Sequence, residues 1–325
     1  MPVSSNVSRL NMTIADLEDE IRTRINARRL QNDLIQRSAD WNKLCSALDV
    51  IGDTELGLAA YLTHPQIDDA GLCYLHVYGA LQILQTQQDA VEQVCRALNI
   101  KPQASPKIPD IREVRSSAVG HPPAQQDNKV VKSNFIVRAS LSQHAFTLMT
   151  VFSDDRQFVQ RNVNVPLLVD QQGTALTSTL AEIIRVLDEA EMKHRAQFMD
   201  EKLSDCFPQT LGYYFSKIFE ALHSSTYFPL GKMHVELVAE CLTKLRATLE
   251  KRGDWGIYDS VNYEYELLEY PLAELKAFFT SRAGSKFNER DKYIFCAFVR
   301  EQLKTLQQIA AEFDEQYASP PSGDG

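Results

Sequence analysis

The chain is 325 residues long, 44% hydrophobic and carries a formal charge of −9, enough length and apolar material for one large or two ordinary globular domains. No apolar stretch approaches the roughly 18 residues of a membrane span, and Met1 to Asn6 show neither the basic nor the apolar segment of a secretory leader. No membrane partner is expected, and the expected location is cytoplasmic.

Residues 13–47 begin with Thr13-Ile14-Ala15-Asp16, a cap followed three residues later by a carboxylate, and continue with Leu17, Ile21, Ile25, Leu30 and Leu34 among many charges. This predicts a solvent-facing amphipathic helix. Asp53-Thr54-Glu55-Leu56 opens a shorter helix that closes before Pro65. The strongest helical period runs over 68–98, carried by Leu72, Leu75, Gly79, Ile83, Val91, Val94 and Leu98. Gly79 costs about 1 kcal/mol there relative to alanine, which a close helix crossing would offset. Gln82, Gln85, Gln88, Asp89 and Glu92 fall on other faces, which reads as solvated surface or as a face from which Gln88 or Asp89 reaches the Arg115 neighbourhood.

After the loop 101–107 comes a short helix anchored by Ile108, Ile111, Val114 and Ala118, with Arg112 and Arg115 together on another face at i, i+3. Arg112 is placed to make a phosphate contact or to pair with a surface carboxylate. Beyond the polar stretch 122–132, near-alternation of Phe135, Val137, Phe146, Leu148, Val151, Phe158, Val159, Val163 and Val165 predicts a small antiparallel meander over about 134–165. Its breakers are Ser142-Gln143-His144 and Ser153-Asp154-Asp155-Arg156, which puts His144 in an exposed turn. Pro166 leads toward a long helix over 177–206, followed by helices over 208–222, 233–252, 263–279 and 288–317 and a disordered tail. The aromatic concentration from Tyr213 to Tyr270 lacks interleaved arginines and reads as core and interface packing, with base stacking as the alternative.

The six cysteines are scattered without a C-x-x-C pair, which predicts buried reduced thiols. Histidines 64, 76, 144, 194, 223 and 234 form no i, i+4 ligand pair, so neither a metal nor a cofactor is expected. P-loop, dinucleotide, G-x-S-x-G and H-E-x-x-H signatures do not occur, which disfavours conventional NTPase, Rossmann and zincin chemistry.

One place joins a fixed cation to a titratable imidazole. In the stretch 111–122 Arg115 and His121 stand six residues apart, which on a continuous helix leaves them diverging by about 120° and separated by roughly 9 Å along the axis. Gly120 is expected in the left-handed cap conformation, with Pro122 preventing the helix from resuming, so that His121 folds over the helix end toward Arg115. Such a pair suits phosphate: the guanidinium grips it through parallel donors, and the imidazole carries a proton near neutral pH. The same Gly-His-Pro is also an ordinary helix stop.

The Arg-x5-His arrangement resembles the R-x4-6-H signature of the HEPN superfamily, all-helical domains many of which are metal-independent RNases of prokaryotic defence and toxin systems. The preceding segment, Tyr78-Gly79-Ala80-Leu81-Gln82 through Gln87-Gln88-Asp89-Ala90-Val91, resembles the long helix before such motifs, and the likeness covers about residues 68–123. Where those nucleases usually carry Asn, Asp or His directly after the arginine, this chain has Ser116, which still donates and accepts a hydrogen bond.

The resemblance implies a mostly α-helical protein: an HEPN-like domain over 1–205 with the β insertion, a C-terminal helical domain over 206–317, and the tail 318–325. It further implies a homodimer acting on RNA, with Arg115, His121 and Ser116 catalytic, Arg112, Gln88 and Asp89 binding substrate, and an antitoxin or defence-system protein as partner. Charge distribution agrees: residues 101–161 hold nine basic and five acidic groups, while both flanking regions are net acidic. Two other expectations stay open, a non-catalytic dimerisation or partner-binding module and a regulatory domain for a phosphorylated ligand.

Overall fold

Helix α1 (Ile14–Ile25) starts where the Thr13 hydroxyl accepts the Asp16 N–H at 3.1 Å while the Asp16 carboxylate takes the Thr13 N–H at 2.8 Å. These bonds satisfy two donors that a helix start otherwise leaves bare, and they hold the Asp16 carboxyl below its ordinary range. The computed structural model describes residues 12–120, 125–127, 130–154, 157–280, 288 and 290–318. His121, Pro122 and most of the tail over 318–325 lie outside the described residues. The protein is mostly α-helical with one small antiparallel sheet, and no described helix is long and apolar enough to cross a membrane.

The chain divides into two compact units, 1–187 and 188–325. In the first, the helix expected over 13–47 is instead α1, α2 (Arg28–Gln36) and the start of α3 (Ser38–Thr63). No new helix begins at Asp53: α3 runs on through it, and the Thr54 hydroxyl donates back to the carbonyls of Val50 and Ile51 at 2.8 Å each, as a residue inside a helix does. Leu17, Ile21, Ile25 and Leu34 are buried, so the apolar face of α1 and α2 is core and not solvent-facing.

Helix α4 (Ala70–Ala97) returns along α3 as an antiparallel hairpin, as the order of the Glu55–Gln87 and Tyr61–His76 contacts requires. The close crossing expected at Gly79 falls elsewhere. A Cβ on Gly79 would meet nothing within 4 Å, whereas one on Gly57 would stand 2.8 Å from Ile83 Cδ1. Leu72 and Leu75 are likewise exposed, and the buried stripe of α4 runs through Cys73, Val77, Leu81, Leu84, Gln88, Val91 and Cys95.

Helix α5 (Pro109–Arg115) carries proline in its first turn, where its missing N–H costs nothing, and leads into a π-helical turn (Ser116–Gly120). Four strands follow: β1 (Gln125–Asp127), β2 (Val130–Ile136), β3 (Ala145–Phe152) and β4 (Val159–Asn164), antiparallel in chain order. β1 adds a strand to the meander read from the sequence. Phe146, Leu148 and Val163 press the sheet onto Val77, Leu81, Ile111 and Val114, and Arg161 of β4 pairs with Asp110 of α5 at 2.6 Å.

His144 is half-buried and not an exposed turn residue: its ring stands edge-on to Tyr61 at 5.3 Å between centroids. Gln143 beside it donates to the His64 carbonyl and accepts from the Ile67 N–H, both at 3.1 Å, which pins this turn to the α3–α4 loop.

Helix α6 (Val165–Phe198) begins twelve residues before the expected start at 177. Its first turn tolerates Pro166, and the Asn164 side chain accepts the Leu167 N–H at 3.1 Å as a cap. The division between units falls inside α6, while the sequence reading puts it at 205/206. An uninterrupted helix carries none of the Pro, Gly or polar linker signals by which a boundary is read.

The second unit contains α7 (Leu211–His223), α8 (Phe228–Arg252), α9 (Asp259–Thr280) and α10 (Asp291–Ala318) around one core. Three helices meet at Gly231, where a Cβ would lie 2.5 Å from Phe279 and 2.7 Å from the Ala221 Cβ. Phe215, Tyr265, Phe278 and Phe279 are buried in this core, whereas Tyr213, Tyr227, Tyr263 and Tyr270 are exposed. Burial pushes the Cys95 thiol up to about 11 and the Cys296 thiol to about 12, so both stay protonated and unreactive at neutral pH.

Arg252 is buried in this unit. It donates to the Glu201 carbonyl, stands 3.7 Å from the Asp314 carboxylate and lies over the Tyr317 ring at 4.6 Å. Asp314 in turn accepts the N–H groups of Leu203 and Ser204 at 2.7 and 2.9 Å.

Candidate functional site

The α5–π-turn segment sits in the first unit against α4. Ile111, Val114 and Ala118 are buried and anchor it, as their spacing predicts. The opposite side of α5 sends Arg112 and Arg115 to two different stations on α4.

Arg112 is committed. Its Nε donates to Gln88 Oε1 at 3.0 Å and one Nη pairs with the Asp89 carboxylate. Gln88 is fully buried and has no free polar atom to offer a ligand. Its oxygen also accepts the Ile108 N–H at 3.0 Å, and its amide nitrogen donates to Gln172 Oε1 at 2.7 Å. Gln172 donates onward to Gln87 at 2.7 Å, and Gln87 to Glu55 at 2.6 Å. A chain of buried amides thus ties α3, α4, α5 and α6 together. Gln88 and Asp89 therefore meet Arg112 and not Arg115, and Gln88 holds the frame of the site from within the core.

Replacing Gln88 with alanine leaves the Ile108 N–H, the Gln172 oxygen and the Arg112 Nε without that partner. At about 1–3 kcal/mol for each buried group left unsatisfied, the expected result is a loss of several kcal/mol in chemical denaturation. Loss of less than about 1 kcal/mol would mean water replaces the amide without penalty.

Arg115 is held differently. Its Nε and one Nη donate to the single oxygen of Gln82 at 3.1 and 2.6 Å, and Gln82 is oriented by its own bond to Thr86 at 3.2 Å. This partner is neutral. Lys107 pairs with Glu92, Arg112 with Asp89, and Arg161 with Asp110 and Glu113, but among the described residues no carboxylate pairs with Arg115. Its charge remains available to a ligand.

The turn after Arg115 brings a second correction. Gly120 is not in the left-handed conformation; the described glycines with positive φ are Gly253 and Gly256. Residues 116–120 wind instead as a π turn, whose i→i+5 period stacks residue 120 over residue 115. A Cβ on Gly120 would lie 2.9 Å from the second Arg115 Nη and 3.9 Å from Ser116 Oγ. The guanidinium therefore fills the space that a side chain at residue 120 would take, with the half-buried Ser116 beside it.

Sequence reasoning placed Arg115 and Ser116 at this site and overlooked Gln82, which reads as one of several solvated glutamines. Its distance from Arg115 along the chain hides it, and only the antiparallel packing of α5 on α4 brings the two together. Among the described residues no group of three or more His, Cys, Asp or Glu side chains is arranged to hold a metal. Comparison with protein-family profiles, curated proteins and solved structures finds no match to this chain.

Proposed function

We propose that the first unit is an HEPN-like, metal-independent endoribonuclease that uses Arg115 and His121 at a homodimer interface. The observation that carries this reading is the Arg115 guanidinium: anchored by a neutral amide, unneutralised among the described residues, and occupying the space beside Gly120, the residue that precedes His121.

In the proposed reaction the ribose 2′-hydroxyl attacks the adjacent phosphorus and the 5′-oxygen of the next nucleotide leaves, giving a 2′,3′-cyclic phosphate and a 5′-hydroxyl. His121 relays the proton from the attacking hydroxyl to the leaving oxygen. Arg115 offsets the charge that grows on the phosphoryl oxygens. Ser116 orients the imidazole or the substrate, while Arg112, Gln88 and Asp89 fix the helix that presents Arg115. The reading is tested with the purified full chain and end-labelled RNA in EDTA. Cleavage leaving 2′,3′-cyclic phosphate ends is the expected result, and 3′-hydroxyl products or a need for divalent metal would contradict it.

Gly120→Ala probes the same contact from the backbone. Its φ suits any residue, so stability should be unchanged, but the new methyl would displace the Arg115 guanidinium from Gln82. A displacement of this kind costs on the order of 10²-fold in rate. Unchanged cleavage by this variant would show that the seat on Gly120 plays no part.

A second reading has its own observation. Leu56 is 72% and Leu75 68% exposed on α3 and α4, apolar surface of the kind found where a partner docks. On this reading the unit is a dimerisation or partner-binding module, recognised by stable self-association without cleavage.

A further inference from the structure

We propose that the second unit binds a small organic anion, one carboxylate or phosphate head on a compact apolar body, in a cleft between the start of α7 and α10. The cleft has a volume of about 440 Å³, within the range of small-molecule pockets, roughly 300–1,000 Å³. Its floor is apolar: Phe207, Leu211 and Phe215 line it with their inner sides in the core. Its rim is cationic. Arg300 and Lys304 stand one turn apart on α10 and so share a face, and none of the described lining residues is acidic.

The charge count matches a single anionic head. Glu301, outside the lining, takes one bond from Arg300 Nε and two from Lys304 Nζ, all at 3.1 Å, so its single negative charge offsets one of the two cations and leaves a net positive charge of one. The Nη donors of Arg300 make no hydrogen bond among the described residues and sit beside Phe219, with the guanidinium carbon 5.7 Å from the ring centroid.

The backbone on the facing wall contributes as well. α7 starts without a side-chain cap from Thr210, and its second residue, Gly212, lines the cleft. Glycine there costs about 1 kcal/mol relative to alanine, yet a Cβ at Gly212 would meet nothing within 4 Å, so packing does not require it. The Leu211 N–H donates to the Pro208 carbonyl at 2.9 Å and the Tyr213 and Tyr214 N–H groups to the Thr210 carbonyl at 2.9 and 3.1 Å, which leaves the Gly212 N–H as the first-turn donor for a ligand's negative charge. Apolar floor and cationic rim, with the Gly212 N–H beside them, together select an anion with an apolar body over either a neutral amphiphile or a bare ion.

The test is isothermal titration of the full chain with octanoate, octyl phosphate, 1-octanol and inorganic phosphate. Octanoate and octyl phosphate are expected to saturate at one per chain, the tighter of them identifying the head group, with octanol and inorganic phosphate about tenfold weaker or more. Arg300→Gln combined with Lys304→Gln should weaken octanoate by a similar factor, and so should Gln307→Glu, which adds a negative charge at the rim without removing a cation. Lys217→Ala, which removes a cation from α7 that does not line the cleft and is paired with Glu220, should change nothing. Equal binding of octanol and octanoate, full affinity in both rim variants, or no saturation by either anion overturns the proposal. The cleft lies wholly in the second unit, so none of these outcomes bears on RNA cleavage by the first.

Discussion

Alanine at His121 is expected to lower the rate of RNA cleavage by about 10²–10⁴-fold, the range that a positioned acid–base group contributes, and alanine at Arg115 by about 10²–10³-fold, the cost of removing one electrostatic stabiliser of a developing oxyanion. The Arg115 side chain is only half-buried, so Arg115→Ala should keep its thermal stability, and thermal unfolding of each variant separates a rate loss from loss of fold. The informative third variant is Gln82→Ala. If the amide serves only to aim the guanidinium, its removal should slow cleavage while leaving RNA affinity nearly intact, since the charge remains. Arg115→Lys separates charge from geometry in the same way: an ammonium keeps the cation but cannot place two parallel donors on one oxygen. Cleavage that survives both Arg115→Ala and His121→Ala would remove the site from consideration.

In the second unit the largest effect is expected from Asp314→Ala. That carboxylate accepts two backbone N–H groups and faces buried Arg252. Deleting it leaves a guanidinium inside the core without its countercharge, at a cost of about 3–5 kcal/mol. Lys251→Ala is the control: it breaks an exposed pair with Glu201 only one residue away from Arg252 and should cost no more than about 1 kcal/mol. Urea unfolding followed by Trp255 fluorescence in a Trp41→Phe background isolates the second unit, since the chain has two tryptophans. An Asp314→Ala loss no larger than that of the control would show that solvent reaches Arg252 and compensates the missing carboxylate.

Much of this architecture is legible in the sequence because it depends on local periodicity. The helices of the second unit, the capping box at Thr13 and the anchoring of α5 by Ile111, Val114 and Ala118 follow from spacing alone. Misreadings arise where polarity and position disagree. Gln88 stands at a core position between Leu84 and Val91, four and three residues from them, and that phase marks it as buried even though its side chain reads as surface. Gly57 and Gly79 carry the same local signal, and only the partner helix decides which one is crossed. The π turn was invisible for a different reason. A glycine before His-Pro predicts a helix end, and nothing in residues 116–120 distinguishes a widened turn from a left-handed cap until the contact between Gly120 and Arg115 is seen.

The amide chain from Gln87 through Gln172 to Gln88 has a bearing on how this protein should respond to acidity. Carboxamides neither gain nor lose protons in water, and guanidinium groups stay charged throughout. The amide chain behind Arg112, and the Gln82 amide that holds Arg115, are therefore silent to titration. A pH–rate curve measured on this protein therefore carries no contribution from these amide links.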